Sequence, residues 1–243
     1  MSYVLIIGAK SDIAKALARE YAHHGYDLCL AGRNIEELSG LKNDIEIRSG
    51  QKVELKEFDI TDFAAHENFY HSLEPKPLGV IVVAGYMAEQ KECENDFAKT
   101  LNTINVNYTG AVSILNIIAN GMEKEQRGFI VGVSSVAGDR GRKSNYIYGS
   151  SKAAFSVYLS GLRNRLFGSG VHVLTVKPGF VATKMTEGLD LPAKLTAQPE
   201  EVAKDIFVAQ QKGKDVLYTK WIWRYVMLII KHIPEFIFKK MSI

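Results

Sequence analysis

The segment Tyr3-Val4-Leu5-Ile6-Ile7-Gly8-Ala9-Lys10-Ser11-Asp12-Ile13-Ala14 decides how the rest of the chain is read. The run from Tyr3 to Ile7 has no polar face, so it reads as a strand buried on both sides, as in a parallel sheet. Gly8 ends the run. Apolar residues then recur at helical spacing, with Ile13, Ala14, Leu17, Ala18 and Tyr21 on one face. A strand that turns sharply into a helix brings backbone N–H groups and a positive dipole end to one point, which suits a pyrophosphate. Gly8 permits the turn, and Lys10, Ser11, Asp12 and Ile13 stand beside it as candidate cofactor contacts. The turn holds one glycine, so an ordinary strand-to-helix connection competes with this reading. An acid near phosphate is unexpected; Asp12 as a helix cap would leave Gly8 and the helix end to the ligand.

The same alternation continues along the chain. Strands are expected over residues 28–31, 53–58, 79–84, 129–134 and 172–176, and helices over 13–24 and 35–48, with a long one over about 94–123. Strand–helix alternation implies right-handed βαβ units and hence an α/β fold, a doubly wound parallel sheet between two layers of helices. The 243 residues show no repeat, low-complexity tract or linker, so a single domain is expected over 1–243.

Composition removes several function classes. A net charge of +3 is close to neutral and gives no case for nucleic-acid binding, which usually shows a strongly basic balance. Cys29 and Cys93 lie far apart without CxxC spacing, which argues against a disulfide framework or a metal site and fits a reducing cytoplasm. The N-terminal run lacks the basic flank and small-residue cleavage site of a signal peptide.

The second strand leads into Leu30-Ala31-Gly32-Arg33-Asn34. An acid at this point would take the ribose 2′-hydroxyl of NAD, whereas Arg33 suits the 2′-phosphate of NADP. Lys10 adds a second charge from the turn. A solvated helix-capping charge is the alternative account of Arg33, but its placement at the end of the second strand favours the phosphate reading.

Tyr148-Gly149-Ser150-Ser151-Lys152 places a phenol and an ammonium on one helix face. Upstream, Val133-Ser134-Ser135 ends an apolar strand and offers a hydroxyl at the sheet edge where ligands bind in open α/β sheets. Reduction of a carbonyl needs a proton donor at the developing alkoxide. A free tyrosine has a pKa near ~10, and a nearby ammonium is expected to lower it. Ser135 would hold the substrate oxygen and stabilise its charge. A Tyr-x-x-x-Lys by itself is an ordinary surface pair; the serine strand and the nucleotide-type turn set this one apart.

On these residues the chain resembles the short-chain dehydrogenase/reductase family over nearly its whole length. The resemblance implies a Rossmann-type sheet of about seven strands, a small-molecule carbonyl or alcohol substrate, an NADP(H) cofactor and a homo-oligomer, dimer or tetramer. It assigns catalysis to Ser135, Tyr148 and Lys152. It also assigns Asn107, within Asn107-Tyr108-Thr109-Gly110, as the anchor of a water that links the lysine to bulk proton exchange. It places Asp59 and Ile60 at the adenine, Ala84 and Gly85 at the fourth strand end, and Pro178, Gly179, Val181 and Thr183 along the nicotinamide. The chain departs from the family turn, with Ile7, Asp12 and Ala14 at positions of a threonine and two glycines. It departs again at Val82-Val83-Ala84-Gly85, where the family has Asn-Asn-Ala-Gly.

Two segments bear on substrate. The loop Asp139-Arg140-Gly141-Arg142-Lys143-Ser144 carries three cations that would meet an anionic substrate or simply face water. With its flanks it resembles a bacterial subgroup similar to the reductase component of decaprenylphosphoryl-ribose 2′-epimerase, which implies a keto-sugar on a phosphate carrier. The tail over 220–243 concentrates Trp221, Trp223, Leu228, Ile229, Ile230, Phe236 and Phe238 among Lys220, Arg224, Lys231, Lys239 and Lys240. Its charges interrupt any spanning helix. It reads as a helical segment that lies on a membrane face, peripheral at the inner leaflet, or packs on the core or a partner subunit. Against the keto-sugar reductase stand a reductase of another soluble carbonyl or acyl substrate and a non-catalytic NADP-binding regulator. A methyltransferase would leave Tyr148 and Lys152 unexplained.

Overall fold

The structure, a computed structural model, describes residues 2–188 and 190–241. Met1, Leu189, Ser242 and Ile243 lie outside the described residues, the last two being the end of the expected tail. The first half runs β1 (Tyr3–Ile7), α1 (Asp12–His23), β2 (Asp27–Gly32), α2 (Ser39–Ser49), β3 (Val53–Glu57), α3 (His66–His71), β4 (Gly79–Val82), α4 (Gln90–Asn95), α5 (Phe97–Ile104) and α6 (Gly110–Glu125). The second half runs β5 (Phe129–Val133), α7 (Tyr146–Leu166), β6 (His172–Pro178), β7 (Phe180–Val181), β8 (Thr196–Ala197), α8 (Pro199–Gln211), β9 (Val216–Thr219), α9 (Ile222–His232) and α10 (Glu235–Phe238).

Seven strands form one parallel sheet in the order β3-β2-β1-β4-β5-β6-β9. Chain direction across the sheet reverses at β1, which pairs Val4 with Leu28 of β2 on one side and with Gly79 of β4 on the other. That switch point opens a crevice beyond the carboxyl ends of the strands. The apolar run of β1 feeds both faces by the two-residue period of a strand. Val4 and Ile6 join a core with Leu17, Tyr21 and Ile206, against α1 and α8. Leu5 and Ile7 join one with Ile114, Ile118, Phe155 and Leu159, against α6 and α7.

Two expectations need correction. The helix expected over 35–48 opens with a tighter 3₁₀ turn at Ile35–Leu38, because the Glu57 carboxylate takes the N–H groups of Asn34 and Ile35 at 2.9 and 3.1 Å. The long helix expected over 94–123 is divided. Asp96 turns extended and its side chain accepts from Ala98 N at 2.9 Å, which caps α5. A π-turn at Asn105–Thr109 then joins α5 to α6 and carries Asn107. The seventh strand, β9, lies just before the tail; it is a short edge strand whose Val216 is exposed.

Candidate active site

The carboxyl ends of the strands surround a cavity of about 680 Å³, within the range of ordinary ligand sites. The first turn contributes Gly8, Lys10, Ser11, Asp12 and Ile13 to its wall, the second Arg33, and the third Asp59 and Ile60. Ala84 and Gly85 follow β4, Ser135 follows β5, and Tyr148 and Lys152 come from α7. Pro178, Gly179, Val181 and Thr183 line it from the end of β6 and the segment beyond. The structure therefore brings together every residue expected to line the cofactor.

Gly8 has a φ of +84°, and a Cβ there would lie 2.5 Å from Ala84 N, so the turn runs hard against the end of β4. The cap of α1 is Ser11, whose side chain accepts from Ala14 N at 3.1 Å, and not Asp12 as expected. Asp12 instead accepts from Lys184 N at 2.9 Å and stands 3.7 Å from Lys15 Nζ. It ties the first turn to the segment beyond β6, and its charge is matched locally. Lys10 pairs with exposed Glu37 at 2.8 Å, a contact that water screens and a phosphate can displace.

Arg33 is 68% exposed at the cavity rim, with Nη1 3.9 Å from Asp59 Oδ2. Burial raises the Asp59 pKa, but two hydrogen bonds from Thr61 and the Arg33 charge outweigh it and hold the carboxyl below its ordinary value. Arg33 thus sits beside an acid yet keeps most of its donors in solvent. A dinucleotide fits this wall. The Gly8 turn and the N-terminus of α1 would hold the pyrophosphate, Asp59 and Ile60 the adenine side, and Arg33 a 2′-phosphate.

The catalytic candidates meet at the other end. Ser135 follows β5 in extended conformation, and its Oγ accepts from Ala137 N at 3.1 Å, which fixes the hydroxyl at the sheet edge. Ser134 turns the other way; its Oγ donates to Lys152 O at 2.8 Å and meets Ser156 Oγ at 2.7 Å, locking α7 to β5. Lys152 Nζ donates to Val133 O at 3.1 Å. A Cβ on Gly85 would lie 3.5 Å from that Nζ and 3.6 Å from Asn107 Oδ1, so the glycine leaves the lysine and asparagine facing one space.

The expected depression of the Tyr148 pKa is corrected. Burial pushes the phenol up to about 12, against a smaller lowering by the Ser135 hydroxyl. Burial also brings the Lys152 ammonium down to about 8. Both shifts come from desolvation of the charged form. Tyr148 is therefore a neutral phenol near neutral pH, which is the form that can give a proton. Asn107 is held by its whole amide: Nδ2 donates to Tyr86 O and Ser151 Oγ at 2.8 and 3.0 Å, and Oδ1 accepts from Tyr86 N at 2.8 Å. It pins the end of β4 to α7.

The loop of three cations does not face the cavity as a set. Arg140 turns away to the tail. Its Nη1 donates to Ile230 O, Lys231 O and Ile233 O at 3.0, 3.0 and 2.7 Å, its Nη2 meets Glu235 at 2.8 Å, and its guanidinium lies 3.9 Å from the Phe238 ring centre. These bonds satisfy the free carbonyls at the C-terminus of α9. Lys143 is exposed, and Arg142 lines the cavity. Asp139 is engaged by Lys177 Nζ and by Tyr218 Oη at 2.8 Å.

The tail is partly core. Trp223 and Met227 are buried with Val136, and the Trp223 ring lies on Gly179 where a Cβ would stand. Trp223 Nε1 donates to Leu195 O at 3.0 Å and its ring meets Phe180 edge-on at 5.1 Å. The tail thereby backs the segment that walls the cavity. For this inner side the expected alternative of packing on the core holds, although nothing local in the sequence links Trp223 to Gly179. Met87 and Met185, apolar cavity walls without a motif, were not among the expected site residues. Among the described residues no helix is long and apolar enough to cross a membrane.

Comparison with known proteins agrees with this geometry. The family model of the short chain dehydrogenases matches residues 2–193. An uncharacterized oxidoreductase of Mycobacterium tuberculosis is 37% identical over 241 residues, covering 98% of this chain and 96% of its own. One from Streptomyces coelicolor is 30% identical, covering 99% and 96%. Among solved structures, a short-chain dehydrogenase from Sphingobium yanoikuyae in complex with NADPH has a TM-score of 0.84 at 24% identity and covers 97% of each chain. One from Burkholderia cenocepacia in complex with NADP has a TM-score of 0.82 at 21% identity and covers 95% of this chain and 93% of its own. The chain is an oxidoreductase that belongs to the short-chain dehydrogenase family.

Proposed function

We propose that this protein transfers a hydride between NADP(H) and a ketone or secondary alcohol. The observation that carries the reading is a single cavity walled at one end by the Gly8 turn and Arg33 and at the other by Ser135, Tyr148 and Lys152. Bound nicotinamide supplies or takes the hydride. Ser135 donates a hydrogen bond to the reacting oxygen, Tyr148 gives that oxygen its proton in the reducing direction, and Lys152 restores the proton to the phenol. Asn107 keeps the β4 end and α7 in register for this transfer. The choice of NADP(H) rests on Arg33, and solved structures of similar fold that hold NADPH or NADP support it. NADPH oxidation over a panel of keto-sugars, free and linked to a lipid phosphate, together with simple soluble ketones and acyl carbonyls, tests the reading. Absence of oxidation across the panel, with NADPH bound, favours the non-catalytic regulator.

A second reading concerns the tail. Trp221, Tyr225, Leu228, Ile229 and Phe236 are exposed on the side of α9 and α10 turned from the core, among Lys220, Arg224, Lys231, Lys239 and Lys240. An apolar face edged with cations suits an anionic lipid surface, so the protein is proposed to work at the cytoplasmic membrane face. The homo-oligomer implied by the family is proposed alongside it, and light scattering on the full chain reads its mass.

A further inference from the structure

Arg142 stands out among the cavity residues. It lies on the loop between Ser135 and α7, and its Nη2 is 3.5 Å from Val136 O, the carbonyl next to the serine. The other contact of Nη2 is Met227 Sδ, also at 3.5 Å, a weak acceptor at a long distance. Nε is fully buried and, among the described residues, has no hydrogen-bond partner. No carboxylate of the described residues lies within ion-pair distance of the guanidinium; the nearby acid, Asp139, is taken by Lys177 and Tyr218. Burial pulls its pKa down, weakly opposed by the charge of Asp139. Asn145, one turn on, donates its N–H to Arg142 O at 3.1 Å, and its own Oδ1 is buried without a partner among the described residues, also on the cavity wall.

A desolvated guanidinium without an acid is costly, and native proteins pair such charges. Here the open direction is the cavity. Its fork of donors matches the two oxygens of a carboxylate or phosphate. The same cavity also has apolar walls at Met87, Phe180 and Met185, and exclusion of water there would strengthen that pairing.

We propose that Arg142 is a specificity-determining residue that binds an oxyanion, carboxylate or phosphate, carried by the carbonyl substrate, with Asn145 Oδ1 accepting from a neighbouring hydroxyl. This rests on the oxidoreductase reading above and names its substrate class. The loop expected to present three cations supplies one, with Met227 of the tail beside it.

Two matched pairs test it: dihydroxyacetone phosphate against dihydroxyacetone, and 4-oxo-4-phenylbutanoate against its methyl ester. Calorimetric titration into the full chain loaded with NADP⁺ reads the subsite, and NADPH oxidation reads the chemistry. A charge-assisted pair predicts that one anion binds about 10-fold or more tightly than its neutral partner. Arg142→Gln is expected to erase that preference and leave the neutral partner within about 3-fold, while Arg142→Lys, which keeps charge but not the fork, retains part of it. A phosphate preference without a carboxylate preference, or the reverse, identifies the oxyanion. Absence of preference in both pairs overturns the proposal, as does its survival in Arg142→Gln. Thermal melting shows that each variant is folded. Anion preference without NADPH oxidation would keep the subsite and remove the proposed reduction of these ketones; oxidation without preference would keep the reduction and remove the subsite.

Discussion

The Lys152 ammonium lies 5.9 Å from the centre of the Tyr148 ring, and its Nζ is tied to the Val133 carbonyl and not to the phenol. In the proposed reaction the lysine would act as a proton reservoir behind the tyrosine, and its pKa of about 8 would set when that reservoir empties. Since kcat/KM reports groups of the free protein, kcat/KM for carbonyl reduction should fall as pH rises through about 8. Tyr148, held near about 12, keeps its proton across that range. A profile flat from pH 7 to 10 would remove Lys152 from proton delivery.

The same burial has a stability consequence of known sign. The folded pKa of Lys152 lies below its ordinary 10.5, so between about 8 and that value the unfolded chain binds the extra proton. Stability from this group then rises with pH over that window, and its penalty is complete below about 8. Lys152→Met lacks the effect. The Tm of Lys152→Met relative to wild type should accordingly decrease as pH goes from 7 to 10. Tyr148, raised to about 12, contributes in the opposite direction above its ordinary 10.0, but it is present in both proteins and cancels. A pH-independent difference in Tm would show that the ammonium is not desolvated.

Tyr148→Phe keeps the ring and removes the proton donor. Turnover should drop by about 100-fold or more, the lower range for general acid catalysis, while NADPH affinity and Tm stay close to wild type. Stopped-flow measurement of NADPH oxidation with a working ketone checks it. Near-normal turnover would transfer the proton-donor role elsewhere.

Much of this was legible because the deciding features are local. The unbroken apolar run of β1, the turn at Gly8 and the four-residue spacing of Tyr148 and Lys152 each carry their structural meaning within a few neighbours. What stayed hidden depends on distant partners. Asp12 finds the Lys184 N–H 172 positions away, so from sequence it passes for a helix cap. Arg140 is claimed by tail carbonyls more than 90 residues on, so it passes for a substrate cation. The tyrosine pKa was expected to fall because charge proximity can be read from spacing, whereas desolvation can be read only from the packed site. Asp96 broke the long helix because its side chain caps α5, a short-range signal that the apolar periodicity masked.

Arg33 should govern cofactor choice at little cost in stability. Its side chain is mostly exposed and its one ion pair is a long 3.9 Å contact with Asp59, so substitution is expected to change stability by no more than ~0.5 kcal/mol. Loss of a charge-assisted pair with the 2′-phosphate should lower kcat/KM for NADPH by about 10-fold or more. Arg33→Asp should reverse or erase the preference for NADPH over NADH. Tighter binding of NADH by the unmodified protein would end this assignment.

The tail offers the last expectation, and its two sides must be treated separately. The inner side is anchored: Trp223 is buried on Gly179, and Arg140 caps α9 while reaching Glu235 of α10. The outer side is not covered, with Trp221 at 75% and Ile229 at 68% exposure, a concentration of apolar surface that usually marks an interaction site. Five cations border it, so attraction to anionic lipid should be strong in dilute salt and weaken as the screening length shrinks from ~10 Å at 0.1 M to ~3 Å at 1 M. Full-length protein is expected to sediment with vesicles containing phosphatidylglycerol, to ignore pure phosphatidylcholine, and to be released by 1 M NaCl. The paired substitution Trp221→Ser with Ile229→Ser changes the outer face and leaves Trp223 and Arg140 in place, so it should abolish sedimentation without altering Tm or NADPH oxidation. If that variant instead halves the mass seen by light scattering, and wild type never sediments with lipid, the face is a subunit contact and the membrane reading fails.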